Sequence, residues 1–258
     1  MKFELVPEQY LQDDFEVLYA KVPWDSEYLH NSTYEIFDIK SRGNGFKESF
    51  RLFENYINYK KGDLLFAKLP VLRNDLIQSY AELGFYFVEQ SVEPILELCK
   101  WFPPQINTNR IVLTKASKND ISEIKAVAEE TFTADRYHLD VNIPSMLASY
   151  RYGKWVENSF EQGETILVCR SLEQILGFFI IKTEGKKAQI RLNGIKLKEK
   201  GKGLGKLTYI KVLSALKKLG FEQVSSRVSF NNLPVVNIYS SLGFKFYNTL
   251  VVMHKYCK

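Results

Sequence analysis

The chain has 258 residues, 45% of them hydrophobic and 25% charged, an ordinary composition for a globular protein with room for one or two buried cores. Its three cysteines, Cys99, Cys169 and Cys257, form no CxxC spacing and cannot all pair, which excludes a disulfide scaffold and leads us to expect a reduced, cytoplasmic protein. The net charge of +5 is uneven: between Lys182 and Lys218 stand twelve basic residues against only Glu184 and Glu199, an excess that suits a polyanionic ligand, unless these lysines form a solvated hairpin and helix. In chain order, MKFELVPEQY sets acids and a proline where a signal peptide carries its apolar run, and no stretch has the apolar length to cross a bilayer, so no membrane association is expected.

Phe46, Phe50, Phe53 and Ile57 recur at helical spacing, and Lys61-Gly62 ends that run. LLFAKL (64–69) predicts a buried strand, followed by a helix from about Leu72 to Leu83 and a strand from Phe85. KWFPPQINTNR (100–110), with the Pro-Pro, predicts a domain boundary that separates residues 1–109 from 110–258. The second half opens with the strand RIVLTKA and a helix for which Asp120 and Glu123 make a capping box. A further helix starts near Pro144. TILVCR (165–170), ILGFFIIKTEG (175–185) and KAQIRLNGIKL (187–197) predict three strands. A glycine-rich front then leads a helix with Leu204, Leu207, Val212, Leu213, Leu216 and Leu219 on its apolar side. The strand QVSSRVS, a short helix from Pro234 to Leu242 and the strand FKFYNTLVVMHKY complete a mixed α/β sheet.

YAELGF (80–85) and YSSLGF (239–244) hold comparable places, each with strand, helix, Leu-Gly-Phe and strand. A left-handed glycine cap accounts for both. What precedes them differs. Upstream of the second copy stands Lys200-Gly201-Lys202-Gly203-Leu204-Gly205, where successive backbone N–H groups can converge at the positive end of a helix. A pyrophosphate fits there. The dipole alone contributes about 0.3–1 kcal/mol, so the hydrogen bonds must carry the binding, with Lys200, Lys202 and Lys206 adding screened charge. The turn is neither a P-loop nor a Rossmann fingerprint.

Basic-x-x-Gly-x-Gly, an amphipathic helix, a strand, Asn232 and then Tyr239 with Leu-Gly-Phe behind it resemble the GCN5-related N-acetyltransferase (GNAT) family over roughly residues 110–258. The resemblance implies a central antiparallel sheet and acetyl-CoA as co-substrate, with no metal. It places the pyrophosphate on the loop at Gly201 to Lys206 and the pantetheine arm along the strand up to Ile195 and Leu197. Lys200 stands where that family usually has arginine or glutamine. Over nearly the whole chain, VPWDSEYL (22–29), FTADRYHLD (132–140), YGKWVENSF (152–160) and NNLPVVNIYSSLGF are similar to the dTDP-fucosamine acetyltransferases. These acetylate a nucleotide-linked 4-amino-4,6-dideoxyhexose for surface polysaccharide and carry an N-terminal partial GNAT-like domain. That similarity implies a nucleotide-sugar acceptor and a homodimer. It makes the first Leu-Gly-Phe copy part of a degenerate half-repeat: LLFAKLPVLRNDLIQSY lacks a glycine loop, and Arg73 takes the place of Asn232. Only the second copy is then expected to bind coenzyme.

By the same resemblance the Tyr239 hydroxyl faces the thioester sulfur as general acid. Complete transfer from a phenol to a thiolate is uphill by about 2 kcal/mol, so a hydrogen bond to the departing sulfur is the more credible role. Asn232 either bonds the coenzyme or caps the helix that Pro234 enters. For the amine's proton, Asp135, His138 and Asp140 are the acceptors in reach of the motif, and QIRLNGI offers no glutamate. His138 is suited to a relay, Arg136 to a diphosphate fork, and Tyr137 falls in the same loop. Trp24, Asp25 and Tyr28 either line the sugar pocket or form a packed corner. No Ser/His/Asp or Cys/His spacing is present, which favours direct attack in a ternary complex. The competing class is a binding protein that holds nucleic acid or acyl-CoA without turnover; no RNA-binding aromatic motif accompanies the lysines.

Overall fold

The computed structural model describes residues 5–41, 45–172, 174–199, 201 and 203–257. The first half runs β1 (Glu8–Gln12), β2 (Phe15–Lys21), α1 (Pro23–Leu29), β3 (Thr33–Ser41), α2 (Phe46–Tyr56), β4 (Leu64–Pro70), α3 (Asn74–Glu82) and β5 (Tyr86–Glu97). The second half runs β6 (Val112–Lys115), α4 (Ile121–Thr131), α5 (Arg136–Leu139), α6 (Ser145–Glu161), β7 (Thr165–Ser171), β8 (Gln174–Glu184) and β9 (Lys187–Ile195). It ends with α7 (Leu204–Lys218), β10 (Gln223–Ser226), β11 (Val228–Ser229), α8 (Leu233–Ser241) and β12 (Lys245–Tyr256). The fold is α/β, with a mixed sheet.

Both halves contribute to one sheet, in the order β1-β2-β3-β4-β12-β5-β10-β9-β8-β7-β6, with β11 on β5. Among the described residues only β3–β4 and β9–β10 pair in parallel. The last strand of each half crosses to the other: β5 pairs with β10, β12 pairs with β4, and the two pair with each other. Alignment of the two Leu-Gly-Phe segments makes Tyr86 the counterpart of Lys245 and Ile95 that of His254. The observed pairs are Lys245 with Ile95 and His254 with Tyr86, so the pairing is unchanged when the halves are exchanged. A local two-fold axis therefore passes beside Ser91 and Leu250, which pair with each other and are themselves counterparts.

Burial follows the layers. Phe50 and Phe53 of α2 and Tyr80 of α3 close one core, Leu207, Ile210, Leu213 and Tyr239 of α7 and α8 a second, and Ile124, Val127, Tyr152 and Val156 of α4 and α6 a third on the opposite face. Three local expectations are corrected. The capping box lies one turn earlier than Asp120–Glu123: the Ser117 backbone N–H donates to Asp120 Oδ2 at 2.7 Å. QVSSRVS is broken at Arg227, where β10 ends and β11 begins. The first-half counterpart of the glycine-rich turn is the β3–α2 connection, and not the β4–α3 connection, which has no glycine. In sequence the β3–α2 connection reads Arg42-Gly43-Asn44-Gly45.

Candidate active site

The parallel strands β9 and β10 stay together from Lys187/Gln223 to Ile190/Ser226 and then part. The Ser226 hydroxyl donates to the Ile190 carbonyl at 2.9 Å and closes the crotch of this fork. Beyond it, residues 192–195 of β9 pair with β8 but with no strand on the β10 side among the described residues. That edge ends at Ile195, and Leu197 follows in a short 3₁₀ turn, exposed. Gly201 (φ +78°) and Gly203 (φ +72°) are left-handed, a conformation that strains other residues, and a Cβ on either would meet nothing within 4 Å. Gly203 is the N-cap of α7, so the first-turn N–H groups at Leu204, Gly205 and Lys206 have no side-chain cap. Gly205 serves a different purpose: a Cβ there would approach Ile238 Cδ1 to 3.2 Å, so it permits close packing of α7 on α8. The expected Lys200 and Lys202 lie outside the described residues. A free strand edge leading to uncapped amides with open space before them fits a phosphopantetheine arm and its pyrophosphate.

Tyr239 is fully buried in α8, edge-on to Tyr209 (ring centroids 5.2 Å) and Phe244 (4.7 Å). Burial raises its pKa, while hydrogen bonds with Ser226 and Tyr209 act the other way. Tyr209 in turn accepts from Asn193 Nδ2 at 2.8 Å. A chain of polar groups, Asn193–Tyr209–Tyr239–Ser226, thus bridges the two prongs of the fork. Asn232, half-buried, is the N-cap of α8 through its carbonyl, and its side chain makes no capping bond.

On the opposite face of the sheet, α5 and α6 carry the other expected residues. Asp135 caps α5 by accepting from the Tyr137 N–H at 2.9 Å and holds His138 Nδ1 at 2.6 Å; His138 Nε2 lies 3.2 Å from Ser149 Oγ. Asp140 is apart from this pair. It accepts from the Tyr86 hydroxyl at 2.8 Å and contacts His254 Nδ1 at 2.7 Å. Burial opposes its charge, but His254, the Asn142 N–H and Tyr86 hold its pKa down to about 2. Arg136 is buried over the Phe66 ring, 3.7 Å from its centroid, and bonds Asp25 and Tyr137. Asp25, fully buried, also binds Arg151 at 2.6 Å. Arg151 and Arg136 hold the Asp25 pKa down against burial. Arg136 therefore does not face an open surface as a diphosphate fork would. Tyr28 accepts from Asn158 Nδ2 at 2.7 Å, and Trp24 is half-buried beside this corner.

One residue here has no signature in the sequence. Glu89 of β5 lies on the strand that the first half lends to β10, and is 7% exposed. Burial pushes its carboxyl up to about 7, against the pull of Arg136 and Ser229. Its Oε2 is buried without a hydrogen-bond partner. Tyr152 and Asp135 are close enough to interact with it electrostatically, and Tyr152 stacks on Phe132 at 4.1 Å. A buried carboxylate with one free oxygen and a pKa near neutrality is equipped to take a proton. The basic stretch is less uniform than its composition. Lys186 pairs with Glu222 at 2.5 Å, Arg191 with Glu164 at 2.5 Å, and Lys196 with Glu123. No group of residues suited to a metal ion occurs among the described residues, and no helix of those residues is long and apolar enough to cross a membrane.

This architecture is the GNAT fold. The GCN5-related N-acetyltransferase from Sphaerobacter thermophilus is similar with a TM-score of 0.66 and 12% identity, over 96% of this chain and 82% of that one. A glucosamine N-acetyltransferase region of a fungal multi-domain GH3 β-N-acetylglucosaminidase is similar with a TM-score of 0.66 and 13% identity, over 93% of this chain and 31% of that one. A tandem GNAT protein of the clavulanic acid biosynthesis pathway gives 0.58 and 12% over 94% and 78%. No family model and no curated protein matches the sequence.

Proposed function

We propose that the chain is an acetyl-CoA-dependent N-acetyltransferase that acts on an amino sugar. One observation carries this reading: the β9–β10 fork opens toward uncapped α7 amides on one side, while Glu89 presents a free carboxylate oxygen on the face where α5 and α6 pack. Glu89 takes the proton from the acceptor ammonium and frees the nitrogen lone pair. The amides of residues 204–206 and the edge of β9 hold acetyl-CoA so that its thioester lies in the fork. The nitrogen attacks the thioester carbonyl, and as the tetrahedral intermediate collapses the C–S bond breaks and the second nitrogen proton passes to the departing sulfur. Tyr239 exchanges its hydrogen bond with Ser226 for one to that sulfur, while Tyr209 and Asn193 keep its hydroxyl supplied with a partner. Asp135 and His138 form a polar wall beside Tyr152, while Asp25 orients Arg136, Tyr137 and Arg151 behind it. The finer reading, a dTDP-linked 4-amino-4,6-dideoxyhexose for surface polysaccharide, is supported by the motifs VPWDSEYL, FTADRYHLD and YGKWVENSF. The amino-sugar class is supported by the fungal protein of similar fold, whose matching region is a glucosamine N-acetyltransferase.

The test is thiol release from acetyl-CoA with a panel of dTDP- and UDP-4-amino sugars, glucosamine and aminoglycosides. Turnover with a sugar amine is expected. Acetyl-CoA binding with no turnover on any amine would overturn the enzymatic reading. Binding to oligonucleotides that weakens steeply with salt would move the basic stretch to a nucleic-acid role.

A further inference from the structure

Arg227 stands at the break between β10 and β11, next to the serine that closes the crotch of the second-half fork. The Ser226 hydroxyl faces Tyr239 and Ile190, so the following side chain projects to the opposite face of the sheet. On β5, Val92 packs in the core with α7 and α8, and Glu89 and Glu93 share the other face. Arg227 lies 3.7 Å from Glu93 there, and Tyr247 of β12 is the cross-strand partner of Glu93. One row thus runs Arg227–Glu93–Tyr247 over three strands, on the face where Glu89 is proposed to meet the acceptor amine.

A β-bulge builds this row. The register of β12 against β5 shifts between Tyr247 and Leu250, and Asn248 within the bulge is left-handed (φ +48°). Asn248 serves both charges: its carbonyl accepts from Arg227 Nη1 at 2.7 Å, and its Nδ2 donates to Glu93 Oε2 at 2.5 Å. An exposed ion pair contributes little stability, whereas a left-handed asparagine in a bulge has a conformational cost and is a feature found beside functional sites. The pair is held in place without being satisfied. A guanidinium has five N–H donors, and Arg227 makes no further hydrogen bond or ion pair among the described residues. The Arg227 side chain is 41% exposed, that of Glu93 22%, and Tyr247 is 47% exposed. The first-half fork, whose strands β3 and β4 run parallel from Thr33/Leu64 to Ile36/Ala67, differs here. Lys68 takes the place of Arg227 and is engaged at 3.0 Å by Glu35, which is buried.

A guanidinium with donors to spare, a carboxylate beside it and an exposed phenol ring are complementary to a polyhydroxylated ring. Its hydroxyls accept from Arg227 and donate to Glu93, and its C–H face packs on Tyr247. Glu89 and Glu93 are about 13 Å apart along one face of β5, a gap that a hexose ring fills with a hydrogen bond at either end. We propose that Arg227, Glu93 and Tyr247 form the subsite that selects a hydroxylated ring in the acceptor, the ring that carries the amine. The placement of that ring rests on the amino-sugar acetylation reading, while its binding can be measured without turnover.

The test is isothermal titration calorimetry of the full-length protein with glucosamine, a dTDP-4-amino-4,6-dideoxyhexose and cyclohexylamine, a ring that carries an amine and no hydroxyls, alongside thiol release from acetyl-CoA with each. At least one sugar should bind tenfold more tightly than cyclohexylamine. Arg227→Ala and Tyr247→Ala should each remove most of that preference and raise KM for the sugar about tenfold, with kcat within threefold of wild type. Arg227→Lys guards against misfolding: it keeps the charge without the planar fork, and should keep the wild-type unfolding midpoint yet lose at least threefold of the preference. A preference that survives both alanine variants would overturn the subsite, as would equal binding of sugars and cyclohexylamine while acetyl transfer proceeds. Sugar binding that depends on Arg227 with no acetyl transfer would uphold the subsite and overturn the enzymatic reading. No binding of any of the three would overturn both.

Discussion

The two forks share a skeleton and differ in what surrounds their tyrosines. Around Tyr239 the second half keeps Ser226 and Tyr209; around Tyr80 the first half has Ala67 and Phe50. The backbone plan of parallel strands, left-handed glycine, helix and Leu-Gly-Phe stop is met equally by both. Side chains that cost nothing to the plan are the ones that diverged. The halves are also unequal in what they give each other: the first half sends Glu89 and Asp25 toward the second, where α5 and α6 receive them.

The largest test of that asymmetry is Glu89→Gln. If the first half supplies the base, kcat/KM near pH 7 should fall about 100-fold or more, and the wild-type rise of kcat/KM through pH about 7 should disappear. A loss confined to KM would leave Glu89 as a pocket wall. Asp25→Ala should cost about 3–5 kcal/mol of stability, because it leaves Arg136 and Arg151 buried without their carboxylate; urea unfolding measures it.

Glu89 also makes stability depend on pH. Its folded pKa of about 7 lies above the ordinary 4.5, so the folded state binds the proton more tightly and stability falls as pH rises between those values. The cost is about 3 kcal/mol. Glu89→Gln should therefore exceed wild type in stability at pH 8 and lose that advantage near pH 4. His254 acts in the opposite sense: burial lowers its pKa to about 4, so its contribution to stability is lost as pH falls from about 6.5 toward 4, a loss that Glu89 offsets in the wild type and that Glu89→Gln should show undiminished. Unfolding curves of both proteins at three pH values separate the two contributions.

Smaller effects sharpen the contrast at the tyrosines. Tyr239→Phe should lower kcat about tenfold and leave CoA affinity near wild type; an equal loss in both would make the ring a packing element. Ala67→Ser gives Tyr80 the partner that Ser226 gives Tyr239, and should stabilise the ligand-free protein by about 1 kcal/mol, read as an increase in unfolding midpoint.

Much of the second half is legible in its sequence because glycine, proline and helical periodicity act locally. Gly203, Gly243 and the α7 leucines announce a turn, a stop and a buried face wherever they occur. Glu89 is not legible, since its strand is completed by β10 and β12 from far along the chain, and a lone glutamate between Val88 and Gln90 carries no local sign of that neighbourhood. The first-half glycine turn is hidden for a related reason. β3 alternates apolar and charged residues only weakly in YEIFDIKS, so the more apolar β4 stands out as the first strand of the repeat and directs attention one connection too late. The buried partnership of Asp25 with Arg136 and Arg151 spans both halves, and charges so distant in sequence give no spacing to read.

The exchange of final strands decides how the molecule can be taken apart. A cut within residues 102–110 would leave the first fragment with β5 beside an empty β12 position, and the second with β10 and β12 exposing bare edges. Neither piece is then expected to remain soluble alone. Mixed together, they should reassemble with the native register, so that complementation between the two fragments measures the strength of the seam through Ser91 and Leu250.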